Sequence, residues 1–341
     1  KLVKMDGSTR LRVAVIGVGL MGRNHARIYS ELDSVDLVAV ADPDTKASTS
    51  VATRHEAHQY ADFKAMLAAE SLDMVSVTVP TALHYEVAEE VVGSGVNLLI
   101  EKPIASTVAD AERIVRLAHE KGVLLGVGHV ERFNPIVTEM KRRLDLGELG
   151  RVLQTTIRRF GPFPERVKDM GVFLDLATHD IDVMYYLTSS EVERISSESA
   201  QVLHGQHEDL AVSLLRFENG VIGVLIENWL SPTKVRDVMV NGERGMYHAD
   251  FLTQDFYFYE NNYTAVEWDS LQVFRGMSEG DMVRYRIDRD EPLRLELEAF
   301  ARAVETGEPF LVTGEDGLRA MRLALLLGDN ASQLRSAADT P

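Results

Sequence analysis

Residues 12–42, RVAVIGVGLMGRNHARIYSELDSVDLVAVAD, decide how the chain begins to fold. A valine-rich run ends in Gly17-Val18-Gly19-Leu20-Met21-Gly22, a stretch of helical period follows, and a second valine-rich run ends at Asp42. This is the order strand, glycine turn, helix, strand, and in that context G-x-G-x-x-G is the turn that brings backbone amides against a pyrophosphate. The glycines permit a tight turn and close approach, and the helix N-terminus then meets the phosphate charge. Asp42 is placed to accept the ribose hydroxyls of an adenosine, and its carboxylate repels a 2′-phosphate, so NAD is expected over NADP. The other reading of these residues is a turn without a ligand, with an acid capping the chain before Pro43.

The same texture continues to His129. Apolar runs at 36–42, 74–80, 97–103 and 123–129 alternate with helical stretches at about 20–32, 62–69, 83–94 and 107–121, the last capped by Ser106 or Thr107. Continuous apolar strands separated by helices predict a parallel sheet covered on both faces. After residue 130 strands follow one another directly, as RVLQTTIRRF (151–160), ERISSESAQVLH (193–204), DLAVSLLRFENG (209–220), VIGVLIENWL (221–230) and KVRDVMVNGERGMYHAD (234–250). Glu218-Asn219-Gly220 and Asn241-Gly242 read as hairpin turns of an antiparallel sheet. One helix at about 173–187 interrupts these strands, two more at about 292–306 and 315–334 close the chain, and 253–287 reads as strands with a long loop. The expected division is a leader over 1–10, an α/β dinucleotide-binding domain over 11–129 and an α+β domain over 130–341.

Composition narrows the chemistry. With 36 basic and 53 acidic residues the formal net charge is −17, and no basic run offsets it, so a nucleic-acid surface is not expected. The absence of cysteine removes disulfides, thiolate zinc sites and a cysteine nucleophile together. KLVKMDGSTR lacks the apolar core of a signal peptide, and no run of about 18 apolar residues suggests a membrane span, so a cytoplasmic location without membrane contact is expected.

Two further stretches carry candidate chemistry. Glu101-Lys102-Pro103 ends the run at 97–103, and Lys102 is either a solvated surface lysine or an ammonium projecting into the crevice where this fold binds ligands. In GVFLDLATHDID (171–182), Leu174, Ala177, Ile181 and Met184 form an apolar stripe. Asp175, His179 and Asp182 fall on another face. Asp175 and His179 are an acid and a base on adjacent helical turns, or a dipole-favoured acid followed by a hydrogen-bonded core histidine.

The glycine loop, ADPD (41–44), TVPTALH (78–84), EKP (101–103) and THDID (178–182) together resemble the Gfo/Idh/MocA family, the glucose-fructose oxidoreductase and inositol dehydrogenase group. The resemblance runs through EPLRLELEAF (291–300) and VTGEDGLRAM (312–321). It implies a Rossmann domain followed by an open, mostly antiparallel sheet whose face builds a homodimer or homotetramer. It implies an NAD-dependent dehydrogenase acting on CH–OH groups. The family's lysine falls on Lys102 and its acid and histidine on Asp175 and His179. Thr78, Pro80, Thr81, His84 and Glu101 then join Gly17, Gly19, Leu20, Met21, Gly22, Asp42 and Lys102 around the cofactor. Where the family has a glycine-rich approach to the helix, this chain keeps only Gly171.

A narrower likeness, in GHVERFNP (128–135) and 158–182, is to members that oxidise the 3-hydroxyl of a nucleotide-linked N-acetylhexosamine. Arg132, Asn134, Arg159 and Arg166 are the candidate donors to such a substrate, or else ordinary fold and surface residues. Without a metal cluster or cysteine, side chains must supply the base and the positive charge, which His179 and Lys102 would do. Inositol, free sugars or 3-keto sugars are the alternative substrates, and a catalytically silent NAD-binding regulator is the alternative class.

Overall fold

A computed structural model of the chain describes residues 10–164, 167, 170–262 and 278–338. The expected leader, save Arg10, and the candidate Arg166 lie outside the described residues, as does 263–277 within the 253–287 stretch. The chain divides into two compact units, Lys1–Phe133 with Glu291–Arg322, and Asn134–Asp290 with Leu323–Pro341.

In the first unit β1 (Leu11–Ile16), α1 (Leu20–Glu31), β2 (Val35–Ala41), α2 (Thr45–Arg54), β3 (His58–Tyr60), α3 (Phe63–Ala69), β4 (Met74–Val77), α4 (His84–Gly93), β5 (Asn97–Glu101), α5 (Val108–Lys121) and β6 (Leu125–Gly128) alternate. The sheet is parallel, in the order β3-β2-β1-β4-β5-β6, so the strand order reverses between β1 and β4. Val13, Val15, Val75, Val77, Leu98 and Ile100 are buried, because helices cover both faces. Thr107 is the residue that caps α5, its hydroxyl accepting from the Asp110 amide at 3.1 Å, an interaction worth about 1 kcal/mol. Two elements escape the sequence pattern. β3 is a three-residue, largely exposed edge strand, and α2 is rich in Ser and Thr, held at its start by the Asp44 carboxylate on the amides of Lys46 and Ala47.

α8 (Pro292–Thr306) also belongs to the first unit. It packs against α1, and the ring of Phe310 stacks on Phe133 at 5.5 Å and meets Phe300 edge-on at 5.2 Å. Residues 291–322 therefore group with the dinucleotide-binding elements. The last helix, α9 (Gly314–Ala338), contributes residues to both units.

The second unit contains α6 (Pro135–Asp145), β7 (Val152–Pro162), a π-helical turn (Phe173–Ala177), α7 (Thr178–Thr188), β8 (Val192–Ala200), β9 (Leu210–Phe217), β10 (Ile222–Asn228), β11 (Leu230–Gly242), β12 (Gly245–Asp250), β13 (Asp255–Asn262) and β14 (Ser278–Tyr285). Its strands run in the order β14-β13-β12-β11-β7-β10-β9-β8. Every pair is antiparallel except β10 with β7. Ala211, Ser213, Leu215 and Phe217 of β9 are buried while Val212 and Leu214 are exposed, the alternation of a sheet with one covered face. Asn241 and Gly242 end β11 itself, and the turn is Glu243-Arg244. β8 stops at Ala200, short of the predicted QVLH, because the Asp209 carboxylate draws the amides of Val202, Leu203 and His204 into a loop.

Candidate active site

In the first unit, parallel register alone gathers most of the expected cofactor residues. Ile16 pairs with Ala41 and with Val77, and Val77 with Ile100, so Gly17, Asp42, Thr78 and Lys102 all leave the sheet at its carboxyl edge. The glycine loop is tied to both neighbours, the Gly17 amide donating to the Ala41 carbonyl at 2.8 Å and the Thr78 amide to the Ile16 carbonyl at 2.9 Å. The Thr78 hydroxyl donates to the Gly17 carbonyl at 2.6 Å.

Gly17 has φ +87°, and a Cβ there would lie 2.9 Å from the Val79 nitrogen. At Gly19 a Cβ would meet nothing within 4 Å. The loop is thus closed on its protein side and open on its other side, which fits a pyrophosphate against the backbone. Leu20 is 73% exposed at the first turn of α1 beside half-buried Met21. Asp42 accepts the Val18 amide and the Asp44 amide, each at 2.8 Å, which fixes its carboxylate beside the loop.

Pro80 and Thr81 open a 3-10 turn, Thr81–Leu83, that leads into α4. His84, the first residue of α4, is buried. Its Nδ1 lies 2.9 Å from the Pro103 carbonyl and its Nε2 3.0 Å from the Val79 carbonyl, so one imidazole spans the loops after β4 and β5. Burial holds its pKa below the usual histidine range against those two carbonyls. Glu101 pairs with buried His25 of α1 at 3.2 Å and receives the Lys102 amide at 3.3 Å. Burial pushes the Glu101 carboxyl up, but His25 and the charges of Lys102 and His84 outweigh it, and the net shift is downward. Lys102 itself is half-buried. His84 therefore acts inside the protein, clamping the backbone next to Lys102.

In the second unit the helix bearing Asp175 and His179 does not start as an ordinary α-helix. Phe173–Ala177 form a π-helical turn before α7, a local widening frequent at functional sites. Glu208 organises its start. Its carbonyl accepts the Val172 amide and its carboxylate the Phe173 amide, both at 3.1 Å. A Cβ on residue 171 would lie 2.0 Å from that carboxylate, which explains the single retained glycine. Asp175 and His179 are half-buried, whereas Asp182 is buried, so the polar stripe expected over 175–182 ends at His179.

The candidate substrate residues are drawn into the fold. Arg159 is 2% exposed, and Nε lies 2.9 Å from both carboxylate oxygens of Asp180, with Nη2 at 2.7 Å. Arg132 is buried on the Asp316 carboxylate and the Leu311 carbonyl. Asn134 caps α6 through Ile136 and donates to the Phe251 carbonyl at 3.3 Å. In this structure the polar heads of Arg132, Asn134 and Arg159 each have a partner within the fold. Arg158, next to Arg159, turns to the other sheet face and pairs with Asp237. Among the described residues no cluster of three or more His, Asp or Glu could hold a metal, and no helix is long and apolar enough to cross a membrane.

Reasoning from sequence left Asp180 unassigned, as a residue that could hold the histidine or a neighbouring loop, and missed two other carboxylates of the second unit, Glu208 and Glu227. Glu227 alone carried a readable signal, since Gly223, Leu225 and Glu227 alternate onto the buried face of β10.

A parallel sheet with the 3-2-1-4-5-6 order, a glycine cradle at its switch point and an anchored acid at the end of β2 define a dinucleotide-binding protein of the Rossmann class. The chain belongs to the Gfo/Idh/MocA family of oxidoreductases. Residues 11–129 match the model described as oxidoreductase family, NAD-binding Rossmann fold, and residues 137–248 match the GFO/IDH/MocA C-terminal domain. The chain is 26% identical over 315 residues to UDP-N-acetylglucosamine 3-dehydrogenase of Acidithiobacillus ferrooxidans, covering 92% of this chain and 95% of the relative. It is 30% identical over 324 residues to inositol 2-dehydrogenase 1 of Saccharopolyspora erythraea, covering 92% of each. A solved structure of the Acidithiobacillus ferrooxidans enzyme superposes with a TM-score of 0.82 at 25% identity, covering 94% of this chain and 97% of the other. The protein is accordingly an NAD-binding oxidoreductase of this family.

Proposed function

We propose that the protein is an NAD-dependent dehydrogenase that oxidises a secondary hydroxyl, at C3, of a nucleotide sugar such as UDP-N-acetylglucosamine. The observation that carries the reading is the similarity to a 3-dehydrogenase of that substrate along 95% of the relative's length, with Lys102, Asp175 and His179 all present in this chain.

Gly17, Gly19, Leu20, Met21 and Gly22 would hold the pyrophosphate, Asp42 the adenosine ribose, and Thr78, Pro80 and Thr81 the remainder. NAD, when bound, supplies the hydride acceptor. Asp42 favours NAD over NADP because a 2′-phosphate would meet an anchored carboxylate. His179 takes the hydroxyl proton on an imidazole nitrogen, and Asp175 orients that ring. Lys102 supplies the positive charge that stabilises the alkoxide electrostatically. His84 and Glu101 steady the backbone on either side of Lys102. The open sheet face of the second unit serves a homodimer or homotetramer.

The test is to incubate the purified protein with NAD and UDP-N-acetylglucosamine and follow NADH absorbance. Formation of NADH supports the reading. Its absence, with turnover of inositol or a free hexose, overturns it in favour of the second reading, an inositol or sugar dehydrogenase, which the 30% identity to an inositol 2-dehydrogenase favours.

A further inference from the structure

Glu227 of β10 is fully buried, and neither carboxylate oxygen has a hydrogen-bond partner among the described residues. Strand alternation turns it to the covered face of the sheet with Leu225. The π-helical turn packs on β10, and α7 packs on β7. In the parallel β10–β7 register Glu227 stands opposite Arg159, whose guanidinium grips Asp180 of α7. Glu227, Asp180 and Arg159 are thus buried on the side of the sheet against which α7, the helix of His179, packs.

A buried carboxylate with no hydrogen bond is costly, and a carboxyl so placed keeps its proton instead. Burial drives the Glu227 pKa well above the usual carboxylate range, the Asp180 charge adds to that, and Arg159 opposes it. Among the described residues, the other titratable groups on the elements packed here have these positions. Asp175 lies in the π-helical turn, His179 and Asp182 on α7, and the β9 position paired with Glu227 is Ala211. Arg158 is paired with Asp237, Glu208 serves the start of the π-helical turn, and Asp209 serves the amides of 202–204.

We propose that Glu227, as a neutral acid, is a positioning residue for the reaction: it does not compete with Asp180 for Arg159 and so helps to fix the turn of α7 that carries His179. The proposal rests on the reading of His179 as proton acceptor. When Glu227 loses its proton to solvent at alkaline pH, a second carboxylate competes for Arg159 and the tie on α7 weakens. Glu227→Gln keeps the shape and the neutral state, and so removes the alkaline event without removing the positioning.

The test compares the full-length protein with its Glu227→Gln variant, both saturated with NAD. An infrared carboxylic-acid carbonyl band is expected in the wild type at pH 8 and lost in the variant. Amide hydrogen exchange over 173–184 is expected to rise at alkaline pH beyond its intrinsic pH dependence in the wild type alone. With UDP-N-acetylglucosamine, wild-type kcat should fall in the same alkaline range while the variant's holds, and the Kd for NAD should match in both. Absence of the infrared band, or identical alkaline exchange in the two proteins, overturns the proposal. If no offered alcohol is turned over, the functional reading fails by itself, while the band and the exchange still decide the role of Glu227.

Discussion

A Cβ on Gly22 would lie 1.9 Å from the carbonyl oxygen of Gly17, so the third glycine of the loop is what lets α1 start against the first. The obstacle is backbone, which cannot swing aside as a flexible side chain would. Gly22→Ala is expected to weaken NAD binding by at least about tenfold and to destabilise the first unit by about 1–3 kcal/mol. Titration with NAD and a thermal melt check both. Gly19→Ala, where a Cβ meets nothing in the protein, should leave the melt unchanged and weaken NAD alone.

Asp42 is fixed by amides on both sides, one from the glycine loop and one from Asp44. Charge-assisted bonds to a ribose hydroxyl are worth about 1.5–3 kcal/mol, so Asp42→Ser is expected to raise the Kd for NAD by about tenfold or more. It should also improve NADP binding, because the repelling carboxylate is gone. Fluorescence titration with each dinucleotide measures the ratio, and an unchanged ratio would remove Asp42 from the specificity argument.

The cofactor half was legible because its signal is local: glycine spacing, valine runs and Asp42 all fall within 31 residues. The second unit was harder because its interactions join distant residues. Arg158 and Arg159 look alike in TTIRRF, yet strand alternation sends them to opposite faces, one to Asp237 and the other to Asp180. No spacing rule links a strand arginine to an acid 21 residues away on a helix. The π-helical turn was equally hidden, since apolar periodicity over 173–187 predicts a plain helix and the capping carboxylate comes from Glu208.

Breaking the Arg159–Asp180 pair from one side leaves a buried charge without its partner. Arg159→Met or Asp180→Leu alone is expected to cost about 3–5 kcal/mol, and the double variant less than either single. Urea unfolding of the three variants checks this. A double variant as unstable as the sum of the singles would show that the two residues act independently.

Asp237 gives a pH dependence with a definite sign. Burial pushes its carboxyl up, but the nearby His248, 3.6 Å away, and the hydrogen-bonded Arg158 guanidinium bring it down to about 2. A depressed folded-state value stabilises the protein above the unfolded carboxylate range near pH 4, and that stability fades as pH falls through about 2. Asp237 is buried but its partner Arg158 is 37% exposed, so the contribution is discounted to about 1–2 kcal/mol. Asp237→Asn should lower urea stability by that amount at pH 6 and by progressively less below pH ~4. A gap that stays constant down to pH ~3 would place the stabilisation elsewhere than in the ionised carboxylate.

His179 and Lys102 divide the proposed chemistry, and their variants should fail differently. His179→Ala removes the proton acceptor and is expected to lower kcat by about 10²- to 10⁴-fold with NAD affinity unchanged. Lys102→Met removes the cation next to the reacting oxygen and is expected to cost about 10²- to 10³-fold in kcat. An added imidazole base should restore part of the activity of the first variant and none of the second, because only the first lacks an acceptor. Steady-state kinetics with NADH absorbance, alongside NAD titration, separates the two. Rescue of the Lys102 variant and not of the His179 variant would show that Lys102 takes the proton and would reverse the assignment.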